Sequence, residues 1–305
     1  MIKIATILTV FNRREKTLSC LQHLYEAEQA YNQSIEENIE LTVFLTDDGC
    51  TDGTTEAVRA TFADKDIQIL QGTGSLYWAG GMCLAWQAAI NSGIPWDYYL
   101  LLNNDTYVYN NVFYLLFEAD RYAFSQMGLH GLASGITCQP GKNDEITYGG
   151  KIFVNWTKGR SVLALPSGKP QAVDSTHANI LLVHKDVVAA IGIFFKGYRH
   201  SGTDVDYSMM CKSHHRPVFV TAQVCGECEF DHDSNKEEIE HLMKMTLAER
   251  KAYVSSPTHC DSDYLLQIRR NLPQRYPGSW MVRKLRLYCP KLYYRITNFR
   301  GIYNQ

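Results

Sequence analysis

Tyr98-Tyr99-Leu100-Leu101-Leu102-Asn103-Asn104-Asp105 decides the fold class. Five aromatic or aliphatic residues in succession, without polar alternation, read as a strand covered on both faces. Such strands belong to parallel sheets with helices on either side. The run stops at three polar residues, and in a parallel α/β sheet the carboxyl end of a strand is where ligands bind.

Working outward, the same alternation recurs. Ile2 to Val10 reads as a strand, and Arg14 to about Tyr31 as a helix with Leu18, Leu21, Leu24 and Tyr25 at helical spacing. Leu41 to Thr46 and Ile67 to Leu70 read as strands, Thr54 to Phe62 and Ala79 to Ile90 as helices. The expected fold is α/β, a mostly parallel central sheet flanked by helices. Its loops at Thr9 to Arg13, Asp47 to Thr54 and Asn103 to Thr106 should converge on one crevice. Further along, Gly131 to Cys138 and Thr147 to Val154 look like antiparallel strands around a polar loop, Gly141 to Glu145. Asn179 to His184 and Val218 to Ala222 read as strands, Lys185 to Ile191 and Asp204 to His214 as helices. From Lys236 onward charge rises, and Pro257, Pro273, Pro277 and Pro290 punctuate short helical pieces. The expected division is a core of residues 1–235 and a basic helical C-terminal extension of residues 236–305.

A chain of 305 residues with 45% apolar content can bury a sizeable core. No stretch approaches the roughly 18 to 20 apolar residues that a bilayer-spanning helix needs, and no signal-peptide pattern opens the chain, so a cytoplasmic protein is expected. Nine scattered cysteines fit reduced thiols better than a disulfide framework. The net charge of −2 conceals an asymmetry: Tyr264 to Gln305 holds nine Lys or Arg and no Asp or Glu, leaving 21 basic against 32 acidic residues before it. Aromatic and basic residues interleaved in that tail suit an anionic membrane surface on the cytoplasmic side. The competing reading is helices packed on the body with a solvated basic face. An acidic body without a recognised module argues against nucleic acid.

Four motifs could carry chemistry. In Asp47-Asp48-Gly49-Cys50-Thr51-Asp52-Gly53-Thr54, Asp48 could accept from a base N–H, or the segment could be a turn with Asp52 or Thr54 as a helix cap. In Asn103-Asn104-Asp105 a carboxylate at a strand end could hold Mg²⁺ or Mn²⁺ beside two phosphates, with Asn103 and Asn104 at the donor, or the segment could be an Asx turn. In Thr203-Asp204-Val205-Asp206-Tyr207, Asp204 could be a general base, or the acids could answer the helix dipole. In Gly74-Ser75-Leu76-Tyr77-Trp78-Ala79-Gly80-Gly81-Met82, Gly80 and Gly81 could let backbone approach a phosphate and Trp78 could border the sugar, or all three could serve packing. Cys225-Gly226-Glu227-Cys228 lacks the second Cys pair that structural zinc wants. His232 is a candidate additional ligand of a catalytic cation, or a structural histidine.

Together and in this order, these motifs and Thr9-Val10-Phe11-Asn12-Arg13 resemble glycosyltransferase family 2, in the bacterial branch that includes rhamnosyltransferases. The match runs from Ile4 to about Asn235, with weaker similarity at Asp263 to Asn271. The resemblance implies a GT-A (nucleotide-diphospho-sugar transferase) fold, a UDP- or dTDP-sugar donor and Mn²⁺ or Mg²⁺. It further implies inverting transfer to a hydroxyl of a glycan or lipid-linked acceptor in surface polysaccharide synthesis. Thr9, Phe11, Arg13 and Asp48 would then contact the nucleotide, and Asn103 and Asp105 stand where the family has its Asp-x-Asp motif. Asp204 would be the base, with His232 near the metal shell. Two departures stand out: Asn103 for the first Asp of the motif, and Thr203 for an acidic residue before the base. The alternatives are a nucleotidyltransferase, against which stands the lack of glycine in Val10-Phe11-Asn12-Arg13-Arg14, and a catalytically silent glycan-binding scaffold.

Overall fold

The structure, a computed structural model, describes residues 1–35, 37–157, 159–230 and 235–299. The chain forms two compact units, one of Met1–Lys196 with Thr203–Phe230, the other of Gly197–Gly202 with Asp231–Gln305.

The first unit opens with β1 (Ile2–Val10), α1 (Arg14–Ser34), β2 (Ile39–Asp47), α2 (Thr54–Thr61), β3 (Ile67–Gln71), α3 (Tyr77–Asn91) and β4 (Tyr98–Leu102). β5 (Thr106–Val108) and α4 (Val112–Met127) follow, then β6 (Leu132–Gln139), β7 (Lys142–Tyr148), β8 (Gly150–Asn155) and β9 (Arg160–Leu163). The unit closes with β10 (Gln171–Ala172), β11 (Ser175–Thr176), β12 (Ile180–His184), α5 (Lys185–Ile191), α6 (Thr203–Ser213) and β13 (Val218–Cys228). The main sheet runs β10-β13-β6-β12-β4-β1-β2-β3. β1 pairs in parallel with both β2 and β4, β2 with β3 and β6 with β13, while β12 lies antiparallel between β4 and β6. The expected mixed α/β fold with a mostly parallel sheet is the fold observed.

Strand geometry explains why both faces are buried. Successive side chains point to opposite sides, so Ile4, Leu8, Leu100, Leu102, Ile180 and Leu182 face the layer of α1, α2 and α4. Their neighbours Ala5, Ile7, Tyr99, Leu101, Leu181 and Val183 face α3, α5 and α6. The fully buried Trp86 of α3 anchors the second layer, with ring centroids 5.3 Å from Phe194 and 5.5 Å from Tyr207. Chain order places the site: β1, β2 and β3 run outward to one edge, then β4 returns to the other side of β1. The loops leaving β1 and β4 therefore diverge from adjacent strand ends, the switch point where a crevice forms.

Two local expectations differ from the structure. The polar segment expected as a loop at Gly141 to Glu145 is mostly the start of β7, which pairs with β6 through backbone groups while its side chains stay exposed. The strand expected over Thr147 to Val154 breaks at Gly149, whose φ of +149° turns the chain from the main sheet into a second sheet of β11, β8 and β9.

The second unit holds α7 (Asn235–Lys244), α8 (Leu247–Tyr253), α9 (Asp261–Asn271), α10 (Tyr276–Tyr288) and α11 (Pro290–Phe299). Within it, buried Asp263 accepts from the backbone N–H groups of Arg199 (3.0 Å) and His200 (2.9 Å). Among the described residues no helix is long and apolar enough to cross a membrane.

Candidate active site at the carboxyl ends of β1, β2 and β4

The three loops expected to converge are joined by side chains. From the β1 loop, Asn12 accepts from the backbone N–H of Thr51 (2.7 Å) and donates its own N–H to the Cys50 Sγ (3.3 Å). Asp52 accepts from the backbone N–H of Arg14 (3.0 Å), and also from Thr54 N–H, a turn-stabilising role. Asn12 has φ of +49°, a left-handed conformation that Asn tolerates better than most residues. Toward β4, the Arg13 guanidinium forms an ion pair with Asp105; the arginine side chain is 46% exposed, the aspartate 16%.

Asp48 has a different place from the one expected. It is buried, and its carboxylate accepts from the backbone N–H groups of Gly74 (2.8 Å), Leu76 (2.9 Å) and Tyr77 (2.9 Å). It thus fills the N-terminal end of α3, where unpaired amides would otherwise receive an anion. Tyr77, held with φ of +54°, is exposed beside it. Asp47 accepts from Gly49 and Cys50 N–H and from the Thr55 hydroxyl; burial pushes its pKa up, but these bonds outweigh it and leave the carboxyl below its ordinary range.

Gly81 serves close packing. A Cβ there would lie 2.0 Å from the Thr9 Oγ1, and the Gly81 carbonyl accepts from the Thr46 hydroxyl at 2.8 Å. Thr9 is thereby partly covered by α3. Gly80 packs on Leu76, which a Cβ would approach to 3.1 Å. Phe11 projects from the loop, exposed.

The Asn103-Asn104-Asp105 turn divides its work. Asn103 Oδ1 accepts from the indole N–H of Trp78 (2.8 Å), tying the turn to α3, while buried Asn104 donates to the Thr17 hydroxyl (3.0 Å) on α1. Asp105 is the one charged residue of the turn, and Lys16 lies within its electrostatic reach. Lys16 forms a 2.8 Å ion pair with Glu229 just beyond β13; that bond raises the lysine pKa and lowers the glutamate's.

Asp204, in the first turn of α6, is tied to the segment that leads into β12. Its Oδ2 accepts from Ala178 N–H (3.2 Å), and the next residue, Asn179, accepts through its carbonyl from Asn103 N–H (3.1 Å). The Asp204 carboxylate and the Asn103 backbone are thus bonded to consecutive residues, Ala178 and Asn179, just before β12. Lys151 of β8 lies within the electrostatic reach of Asp204; burial lowers its pKa, and the carboxylate acts against that. The Thr203 hydroxyl is buried without a hydrogen-bond partner.

Asp105 supplies one hard oxygen ligand, which suffices for Mg²⁺ or Mn²⁺ when substrate phosphates and water complete the shell. The Arg13 guanidinium stands where a cation facing Asp105 would be. Among the described residues no cluster of three His, Cys, Asp or Glu could hold a metal ion by itself. His232 lies outside the described residues. Cys225 is buried in the core with its thiol pKa pushed up to about 12 by burial, and Cys228 accepts from the Asn179 side chain (3.3 Å). Lys16, Glu229, Asn179 and Lys151 are the site residues that motif reading missed. Of these only Lys16 had a signal, as a cation close to Arg13 and Arg14 at a helix start, where the dipole disfavours cations.

A cavity of about 680 Å³ lies elsewhere, along α1 and the end of α2, lined by Tyr25, Glu26, Glu28, Asn32, Phe62 and Lys65. The strand-end chemistry does not reach it.

No family model matches the sequence, and the search of curated proteins gives no match. Among solved structures the chain is similar to the mannosyltransferase PcManGT from Pyrobaculum calidifontis in complex with GDP-Man and Mn²⁺, with a TM-score of 0.54 at 13% identity over 98% of this chain and 75% of that one. S. aureus TarS 1-349 in complex with UDP-GlcNAc gives a TM-score of 0.49 at 13% identity, covering 89% of this chain and 73% of that chain. The form with UDP gives 0.48 at 14%, covering 91% and 74%. The mannosyltransferase likeness shows the fold alone: the chain shares with that protein a mixed α/β architecture around a mostly parallel central sheet.

Proposed function

We propose that the chain is an inverting glycosyltransferase, similar to family 2, that moves a sugar from a nucleoside diphosphate to a hydroxyl of a glycan or lipid-linked acceptor. The observation that carries this reading is the Arg13–Asp105 pair at the β1/β4 switch point; the bonds of Asn103 and Asp204 to consecutive residues before β12 support it. The fold shared with a mannosyltransferase bound to GDP-Man and Mn²⁺ is consistent with it.

In this reading exposed Phe11 and the β1 loop receive the nucleoside, and Arg13 and Lys16 bring positive charge to the diphosphate. Asp105, with Asn103, would hold Mn²⁺ or Mg²⁺, which when bound stabilises negative charge on the departing diphosphate. Asp48 acts indirectly, by holding the Gly74–Tyr77 turn and hence Trp78 at the sugar. Asp204 takes the proton of the acceptor hydroxyl as its oxygen bonds to the anomeric carbon; the carbon–oxygen bond to the diphosphate breaks and its electron pair leaves on the phosphate oxygen. Asp204 keeps accepting capacity on both oxygens beyond its bonds to Ala178 and Val205.

The test is incubation with UDP-, GDP- and dTDP-sugars plus Mn²⁺, reading release of nucleoside diphosphate. Turnover with one donor class, lost in Asp204→Asn with donor binding retained, supports the proposal. Pyrophosphate release from a nucleoside triphosphate would favour a nucleotidyltransferase. A silent scaffold has one observation in its favour, the engagement of the Asn103 side chain by Trp78, and would bind sugars without turnover.

A further inference from the structure

Helices α10 and α11 each give one side to the packing of the C-terminal unit and leave the other open. The inner side of α10 spends two cations internally: Arg283 pairs with Asp261 (2.9 Å) over the Tyr264 ring (4.1 Å), and buried Arg286 pairs with Glu238 (2.5 Å). The tail's charge excess is therefore partly structural. What remains is arranged differently.

On its outer side α10 presents Trp280, Met281, Lys284 and Tyr288, spaced as one helical stripe. Met281 is 65% exposed and Tyr288 51%. Lys284 lies over the Trp280 ring at 5.6 Å. On α11 the exposed residues come in adjacent pairs one turn apart, Lys291-Leu292 and Arg295-Ile296, opposite buried Pro290 and Thr297. Each large apolar group of this face thus has a cation beside it.

The charge selects the occupant. The segment from Tyr264 to Gln305 contains no acidic residue to complement a mixed protein surface. A second copy docked through the same face under two-fold symmetry would bring like charges together. A sheet of anionic headgroups over an acyl layer suits both components, because Lys and Arg can stay at headgroup level while the neighbouring apolar side chains enter. We infer that the outer face of α10 and α11 docks the protein on an anionic lipid bilayer. The inference goes beyond the transfer reaction and does not depend on it.

The test uses the full chain in flotation with phosphatidylcholine vesicles, alone or with about one-third phosphatidylglycerol. The expected result is flotation with the anionic vesicles only, falling roughly thirtyfold in partitioning for Lys291→Gln/Arg295→Gln, at about one kcal/mol per basic residue. Leu292→Ser/Ile296→Ser should weaken it as well, with the melting temperature of both variants unchanged because all four side chains are exposed. Quenching of fluorescence by lipids brominated in the acyl chain, lost in Trp280→Phe, is a readout that needs no disruptive variant. Equal binding to neutral vesicles, no flotation at all, or a concentration-dependent dimer abolished by these variants would overturn the inference. Donor binding measured in the same samples without vesicles keeps its failure distinct from failure of the transfer reading.

Discussion

Arg13 and Asp105 form an ion pair across the switch point between β1 and β4, joining two loops 92 residues apart in sequence. The guanidinium neutralises the one carboxylate that the Asn103-Asn104-Asp105 turn exposes, so it competes with any cation for Asp105. Arg13→Gln should therefore raise the affinity of the donor-free protein for Mn²⁺, by about fivefold if one partly exposed pair of about 1 kcal/mol is removed. Asp105→Ala should abolish the cation dependence of donor binding. Calorimetric titration of Mn²⁺ and of nucleoside diphosphate checks both, and unchanged metal dependence in Asp105→Ala would take that residue out of the site.

Asp204 gives a prediction about the chemical step. Asp204→Asn should remove transfer and leave donor affinity within a few fold, because the carboxylate acts on the acceptor hydroxyl and not on the nucleotide. Release of nucleoside diphosphate and calorimetry of donor binding check it, and a loss of donor affinity as large as the loss of turnover would take Asp204 out of that role.

The strands around β1 were legible because burial on both faces leaves a continuous apolar run. Ile2–Val10 and Tyr98–Leu102 have the very bounds that their sequence suggests. β7 was illegible for the opposite reason: Lys142 to Glu145 are exposed, and such side chains carry no burial pattern. At the site, residue type and strand-end position pointed to Asp48, Asn103 and Asp105, but not to how each is satisfied. The amides that saturate Asp48 lie 26 to 29 residues away, and the indole on Asn103 lies 25 away. Such partners depend on how α3 docks, which no local spacing encodes.

That docking can be tested at Gly81, where α3 crosses β1. An added methyl would meet the Thr9 hydroxyl at 2.0 Å and its Cβ at 2.8 Å, too close for rotamer adjustment alone. Gly81→Ala should destabilise the fold by about 1–3 kcal/mol through overpacking. Thr9→Ala in the same chain removes the nearer atom and should recover part of that loss, a coupling visible in a double-mutant cycle of urea unfolding. Strict additivity would mean that the helix shifts as a body and does not rest on Thr9.

At the opposite end of the sheet, His130 and His184 stack with ring centroids 3.8 Å apart, and His130 pairs with buried Asp120 at 2.8 Å. Tyr98 donates to the same carboxylate at 2.9 Å. Burial lowers the pKa of His184 below its ordinary value of 6.5, and the neighbouring His130 lowers it further, against the pull of Asp120. The unfolded chain therefore binds the proton more readily than the native one. The stabilisation is complete above about pH 6.5 and is lost as pH falls through that value toward the lower native pKa. His184→Phe keeps an aromatic ring on His130 and removes the titration, so its melting temperature should fall less than the wild type's between pH 7 and about pH 5. The comparison must be made with His130 retained in both proteins. Parallel melting curves for the two proteins across that interval would show that His184 enters the unfolded state without taking up a proton, contrary to its burial against a second imidazole.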